Sequence, residues 1–379
     1  MLRTPIFDNC ILPLYGMEIL PDGKIKTCCM YQPDFEPEHK VYDISEYDEW
    51  WNHGVKRIQD TFANGEVPKG CKICYDHDNN ITSGLRRGST IFFKHLYAKD
   101  VARPSPEWLE LKFGNYCNLK CIMCSAGLSS QIENEQRAHL PKFEAIEIYP
   151  NFIKHLKWWE DPKIFPKVLE IAKNAKYISF SGGEPLMAPQ ILEILEAIDR
   201  EKCLIRINTN LTRLNYEHLK IFSTIKNIEV AVSLDGVEEH HEYVRFGSSW
   251  HTIENNITKI LNIQNVKLIF TYLLQHTSIY TFPRFYNLIK KYNKSIIMST
   301  VYDNSIKFGG LTINSVPPNE IEKFTEWLKN NPTLYDPILY KWLNMYKFTN
   351  EAHLSFVEYI NLIDSIRNTD FKKTFNINW

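Results

Sequence analysis

The 379-residue sequence has no apolar run approaching the roughly 18 residues a transmembrane helix needs. Its opening stretch, MLRTPIFDNC, has no apolar core of the signal-peptide kind. These absences predict a cytoplasmic protein without a membrane partner. Excess charge is also missing: 44 Lys and Arg against 45 Asp and Glu leave a net charge of -1. That excludes a global basic field able to gather nucleic acid, so no nucleic-acid polymer is expected as partner. There is no short-period repeat and no low-complexity tract, which argues against a repeat array.

What is present is ordinary globular material, 44% hydrophobic and 23% charged, in a chain long enough for one large domain and a small one. The nine cysteines are the unusual element. In a reducing compartment their clustered spacings favour metal ligation or redox catalysis over disulfides.

Two textures divide the chain. Residues 1–95 are turn-rich and hold five of the nine cysteines, with one helix expected: Ser45 as cap, Trp51, Val55, Ile58 and Phe62 at i, i+4, i+7 and i+11, and Gly65 at its end. A segment this poor in regular elements calls for a metal staple. Residues 105–310 alternate strand-like and helix-like runs: WLELKFG, YISFSGG, CLIRINTN, IEVAVSLDG, VKLIFTYLL and SIIMSTVYD, separated by helices such as APQILEILEAIDR and TIENNITKILNIQ. This texture builds parallel α/β sheets, and six units point to an open, partial barrel or a doubly wound sheet, with function at the C-terminal ends of the strands. Residues 311–379 read as polar helices that pack on that core.

CNLKCIMC places Cys117, Cys121 and Cys124 directly after the first of these strands. Closed zinc sites and ferredoxin-type clusters use four protein ligands, so a triplet leaves one coordination position open. Further polar motifs follow at later strand ends: SGGEP with Gly182, Gly183 and Glu184; NTN with Asn208 and Asn210; SLDG with Ser233 and Asp235; and Arg245 in YVRFG. Taken singly, each also suits a turn or a solvated surface.

Cys-x3-Cys-x2-Cys followed by these motifs in this order resembles the radical S-adenosylmethionine (SAM) enzymes. The resemblance implies a partial (β/α)6 barrel in which the three thiolates hold a [4Fe-4S] cluster and SAM ligates the fourth iron. It implies that Gly182, Gly183 and Glu184 meet the methionine amino group, and that Asn208, Asn210, Ser233 and Asp235 lie along the cofactor. Arg245 would pair with its carboxylate, a task suited to a planar two-donor fork. The family usually has an aromatic residue before the third cysteine. Met123 stands there instead, and its thioether can also pack on adenine.

The N-terminal cysteines form a second set. Cys10, Gly23 and Cys28 give Cys-x12-Gly-x4-Cys, and GCKIC supplies Cys71 and Cys74. Four such thiolates suit structural zinc or a second iron–sulfur cluster, and spacing does not separate the two. The set resembles the twitch module, the smaller relative of the SPASM domain, which implies an auxiliary [4Fe-4S] cluster. Here it precedes the core rather than following it. Cys203 is expected in the core. Cys29 is a neighbour of the ligand Cys28 that the spacing disfavours.

From the resemblance, the expected activity is reductive cleavage of SAM to a 5'-deoxyadenosyl radical that abstracts hydrogen from a substrate, with electrons from an external donor such as flavodoxin or ferredoxin. A peptide or protein side chain ranks first as substrate, and a small molecule or nucleotide is the alternative. A non-catalytic zinc protein is the remaining one. No residue stands out as catalytic acid, base or nucleophile.

Overall fold

A computed structural model describes residues 10–32, 41–78, 86, 89–90, 105–152, 154, 157–300, 310–331 and 336–377. Its strands are β1 (Gly16–Ile19), β2 (Lys24–Lys26), β3 (Tyr42–Asp43), β4 (Trp108–Lys112), β5 (Lys120–Cys121), β6 (Tyr177–Ser181), β7 (Leu204–Thr209), β8 (Asn227–Ser233), β9 (Arg245–Phe246), β10 (Val266–Leu274) and β11 (Ser295–Thr300). All six strands expected from the periodic part are present, as β4, β6, β7, β8, β10 and β11, although positions 301–303 of the last run lie outside the described residues. Helices alternate with them and dominate the C-terminal region, so the expected α/β class of the partial-barrel kind is borne out.

The chain divides into two compact units. One comprises Met1–Gly114, Lys154–Ile207 and Thr224–Ile228; the other comprises Asn115–Ile153, Asn208–Ser223 and Glu229–Trp379.

In the first unit β1, β4, β6 and β7 run parallel in that order, and β2 and β3 extend them antiparallel beyond β1. The register sorts side chains into rows. Met17, Leu109, Ile178 and Ile205 make one row, and Ile19, Leu111, Phe180 and Ile207 another; every one of these eight is fully buried. The helix Gln190–Ala197 buries Ile191, Ile194 and Leu195 at i, i+3 and i+4, each contributing roughly 1.5–3 kcal/mol.

The expected N-terminal helix is real but starts differently. Asp43, not Ser45, is its cap: its carboxylate accepts from Ser45 N at 2.9 Å, and Glu46 reaches back to Asp43 N. A carboxylate suits the positive end of a helix and supplies one half of a capping box. A π-type turn at Trp50–Val55 precedes the α-helix Lys56–Ala63, and Trp51, Val55, Ile58 and Phe62 are all buried. Gly65, at φ 82°, follows its end.

In the second unit β10 and β11 pair in parallel, and β5 pairs with β9 as a short antiparallel ribbon. Helix Trp250–Leu261 is capped by Ser249 and buries Ile253, Ile257 and Ile260. The C-terminal helix Asn350–Arg367, capped by Thr349, buries Phe356, Tyr359, Ile360 and Ile363 against Ile122, Tyr243 and Val244. Among the described residues, no helix is long and apolar enough to cross a membrane.

Candidate cluster and cofactor site

Cys117 and Cys121 are buried, and Cys124 is half-buried beside them with Met123. The loop that carries them is held by backbone and side chain. Cys124 N donates to Cys121 O at 3.0 Å and Ile122 N to Val244 O at 2.9 Å. Cys117 N donates to Ser130 Oγ at 3.3 Å, and Ser129 Oγ donates to Leu119 O at 2.6 Å. Burial raises the Cys121 and Cys124 thiols, and at Cys124 the neighbouring Cys121 and Cys117 add to it. A metal group that takes them as thiolates must therefore displace protons.

Three of the expected strand-end residues gather around these thiols. Asn210 Nδ2 lies 4.0 Å from Cys117 Sγ and donates to Asn118 Oδ1 at 3.3 Å. In the β5–β9 ribbon Cys121 is directly opposite Arg245, whose Nη1 is 3.8 Å from Cys121 Sγ. Arg245 also bonds Asp235 Oδ2 through Nε at 2.7 Å and Nη2 at 2.6 Å, while Leu273 N donates to Asp235 Oδ1 at 2.8 Å. Two residues expected along the cofactor thus engage each other. Ser233 ends β8 half-buried and accepts from Thr271 at 3.3 Å; Asn208 is half-buried in β7.

Sequence reasoning missed the supports of this loop. Asn118 donates to Thr212 at 2.9 Å, and Leu211, fully buried, adopts φ 59° with its N–H donated to Thr209 and its carbonyl accepting from Asn256 at 2.9 Å. A left-handed leucine is rare and persists only when its surroundings over-determine it. Nothing local in NTNLT signals it.

In the first unit the SGGEP turn follows β6. Gly182 has φ 102°, and a Cβ there would stand 3.0 Å from Lys112 Cβ. The position therefore requires glycine. Gly183 is half-buried next to it, and Glu184 is buried and accepts from Leu186 N at 3.1 Å.

Between the apolar rows of the same strands runs a polar one. Glu18, Glu110, Ser179 and Arg206 lie side by side on β1, β4, β6 and β7, and the next row sets Lys112 beside Ser181. Lys112 bonds Glu18, Lys26 stands 3.5 Å from the same carboxylate, and Ser181 donates to Glu110 at 2.9 Å. Burial, with Glu18 adding to it, raises the Glu110 carboxyl. Parallel sheets are usually apolar on both faces, so this charged row departs from the usual pattern and is satisfied by pairing within itself.

The N-terminal cysteines converge within this unit. Cys10, Cys28, Cys71 and Cys74 line one cavity with Met30, Tyr31 and Tyr75. Gly23, at φ 82°, turns the chain from β1 into β2, which brings Cys28 back toward Cys10. Cys71 and Cys74 are one helical turn apart. Burial, with Cys10 adding to it, pushes the Cys28 thiol up to about 12. Cys29 is exposed and Cys203 is fully buried in the core. Among the described residues, no three Cys, His, Asp or Glu side chains gather closely enough to hold a single metal ion.

The family model for the Radical SAM superfamily matches residues 111–300. No curated protein sequence matches. Among solved structures the chain is similar to native anSMEcpe with bound AdoMet, at 18% identity and TM-score 0.41, over 60% of this chain and 63% of that one. It is similar to Streptococcus suis SuiB bound to precursor peptide SuiA, at 14% identity and TM-score 0.41, over 78% of this chain and 61% of that one. TYW1 with a lysine-pyruvate adduct shows 15% identity and TM-score 0.33, over 57% of this chain and 70% of that one. The chain spans between 60% and 63% of the length of the first structures it matches. The family match runs from β4, through the triplet, SGGEP, NTN, SLDG and Arg245, to the end of β11, just over half of the 379 residues, and on it the chain belongs to the radical SAM superfamily.

Proposed function

We propose that this protein is a cytoplasmic radical SAM enzyme that abstracts hydrogen from a peptide or protein side chain. The observation that carries the reading is the grouping of Cys117, Cys121 and Cys124 with Asn210 and Arg245 at the triplet loop, within a chain of this superfamily. Three thiols, with no fourth cysteine beside them among the described residues, suit a [4Fe-4S] cluster with one iron left for SAM. When bound, that pair supplies a 5'-deoxyadenosyl radical, which removes a hydrogen atom from the substrate.

The residues of this chain bind and orient. The three cysteines hold the cluster, and Arg245 and Asn210 set their charge and hydrogen bonds toward its sulfurs. Gly182 lets backbone approach the methionine end of SAM, with Gly183 and Glu184 beside it; Asn208, Ser233, Asp235 and Met123 complete the cofactor contacts. The charged row Glu18, Glu110, Ser179 and Arg206 gives a polar substrate group something to bind.

Residues 1–95 form an auxiliary module of the twitch kind, 105–310 the core and 311–379 a helical segment packed on it. The auxiliary site holds a second [4Fe-4S] cluster on Cys10, Cys28, Cys71 and Cys74. Its support is that these four thiols line one cavity in a chain whose Cys-x12-Gly-x4-Cys and Cys-x2-Cys spacings resemble the twitch module. An external flavodoxin or ferredoxin delivers the electrons.

Anaerobic purification tests the reading. Brown protein with about eight irons per chain, forming 5'-deoxyadenosine with dithionite and SAM, is the expected result. A colourless zinc protein that leaves SAM intact refutes it.

A further inference from the structure

The C-terminal helix reaches the segment that carries the triplet at two buried points. Tyr359 Oη donates 2.6 Å to the carbonyl of Ile122, the residue after Cys121. At the end of the helix, Arg367 bonds Glu135 through Nη2 at 2.6 Å and Nε at 3.2 Å, with both side chains buried. Glu135 also accepts from Lys120, the residue before Cys121, at 2.9 Å. The Phe246 ring is near both cations, its centroid 5.5 Å from Lys120 Nζ and 5.2 Å from Arg367 Cζ. Since Phe246 pairs with Lys120 and Arg245 with Cys121, the ribbon that presents Cys121 is flanked by Arg245, Lys120 and Arg367. Against these three cations stand two buried carboxylates, Asp235 and Glu135.

Simple packing of an amphipathic helix does not require this arrangement. Phe356, Ile360 and Ile363 already bury its apolar stripe. Placing an arginine and a glutamate inside costs several kcal/mol per ion before their attraction offsets it, so an apolar pair would serve packing as well.

We propose that the C-terminal helix is a working part of the cluster site: Tyr359 fixes the Cys121–Cys124 turn, and Arg367 supplies positive charge behind it that favours the reduced cluster. This rests on the reading that the triplet holds a [4Fe-4S] cluster. Reduction adds a negative charge to an anionic, buried group, and reduction potential follows local net charge and hydrogen bonding. Both are positioning residues, acting through Ile122 and through Glu135 and Lys120.

The test is an EPR-monitored redox titration of the reconstituted full chain, following the signal that changes when SAM is added, together with the rate of iron loss to a chelator. Arg367→Met is expected to shift the midpoint to more negative potential, Arg367→Lys to restore it, and Glu135→Gln to shift it the opposite way. A helix that only packs gives no such sign reversal. Tyr359→Phe is expected to speed loss of the triplet's iron about tenfold, as for one buried hydrogen bond. Midpoints unchanged in folded Arg367→Met and Glu135→Gln overturn the electrostatic part, and Glu135→Gln alone decides it where Arg367→Met does not fold. An unchanged chelation rate in Tyr359→Phe overturns the positioning part. If the wild-type chain takes up no iron, the cluster reading fails and this proposal fails with it.

Discussion

Arg245 and Cys121 face each other across the β5–β9 ribbon, and the guanidinium that comes within 3.8 Å of the thiol is held at its other edge by Asp235. One cation therefore connects a triplet cysteine to the end of β8 and, through Asp235 and Leu273 N, to β10. Arg245→Leu leaves the Asp235 carboxylate buried without its ion pair, which costs roughly 3–5 kcal/mol. Urea unfolding of the metal-free protein reads this as a lowered midpoint, with Arg245→Lys less affected. Equal stability of Arg245→Leu and wild type would mean that the pair contributes nothing.

Cys121→Ala removes one of three thiolates that have no spare among the described neighbours. The expected outcome is loss of 5'-deoxyadenosine formation with dithionite and SAM, measured by chromatography. Activity at the wild-type level would show that the triplet is misassigned.

Replacing Cys71 and Cys74 together by Ala removes two of the four thiols of the N-terminal cavity. Iron content is expected to fall by about half while SAM cleavage persists, because the triplet is untouched. Full retention of iron argues against an auxiliary cluster.

Gly182→Ala places a Cβ where φ is 102° and Lys112 Cβ is 3.0 Å away. The strain of a left-handed non-glycine residue is about 1–2 kcal/mol, and the turn is expected to move. Equilibrium dialysis with labelled SAM should show weaker binding by the variant while its far-UV circular dichroism stays that of the wild type. Unaltered affinity removes the glycine from the cofactor's contacts.

His218 ties acid stability to a helix start. Its Nδ1 accepts from Asn215 N at 3.2 Å in a capping box, and burial lowers its pKa to about 4. The folded value lies below the unfolded value of about 6.5, so the unfolded chain binds the proton first. The contribution is fully present above about pH 6.5 and is lost as pH falls toward 4, by up to ~3 kcal/mol. Unfolding midpoints between pH 7 and 4 should drop less steeply in His218→Gln. Parallel curves for the two proteins would exclude His218 as a source of the acid sensitivity.

The sequence by itself determined the elements whose cause is local. Six strands and the helices between them follow from apolar periodicity, and the triplet with its strand-end motifs is legible because ligand spacing and order along the chain need no third dimension. The N-terminal helix is capped two residues before Ser45, since Asp43 and Ser45 both suit a cap and only the hydrogen bonds choose.

Tertiary structure decided what depends on register and on distant pairing. The polar row Glu18, Glu110, Ser179 and Arg206 exists only once four strands are aligned, because each residue taken alone sits in an ordinary strand. That Cys28 lines the cysteine cavity while Cys29 is exposed follows from the turn at Gly23 and the path out of β2. The engagement of Arg245 with Asp235, and of Tyr359 with a carbonyl 237 positions earlier, is set by the fold. A buried hydrogen bond needs two partners brought together, and no period in the chain encodes where the second one will be.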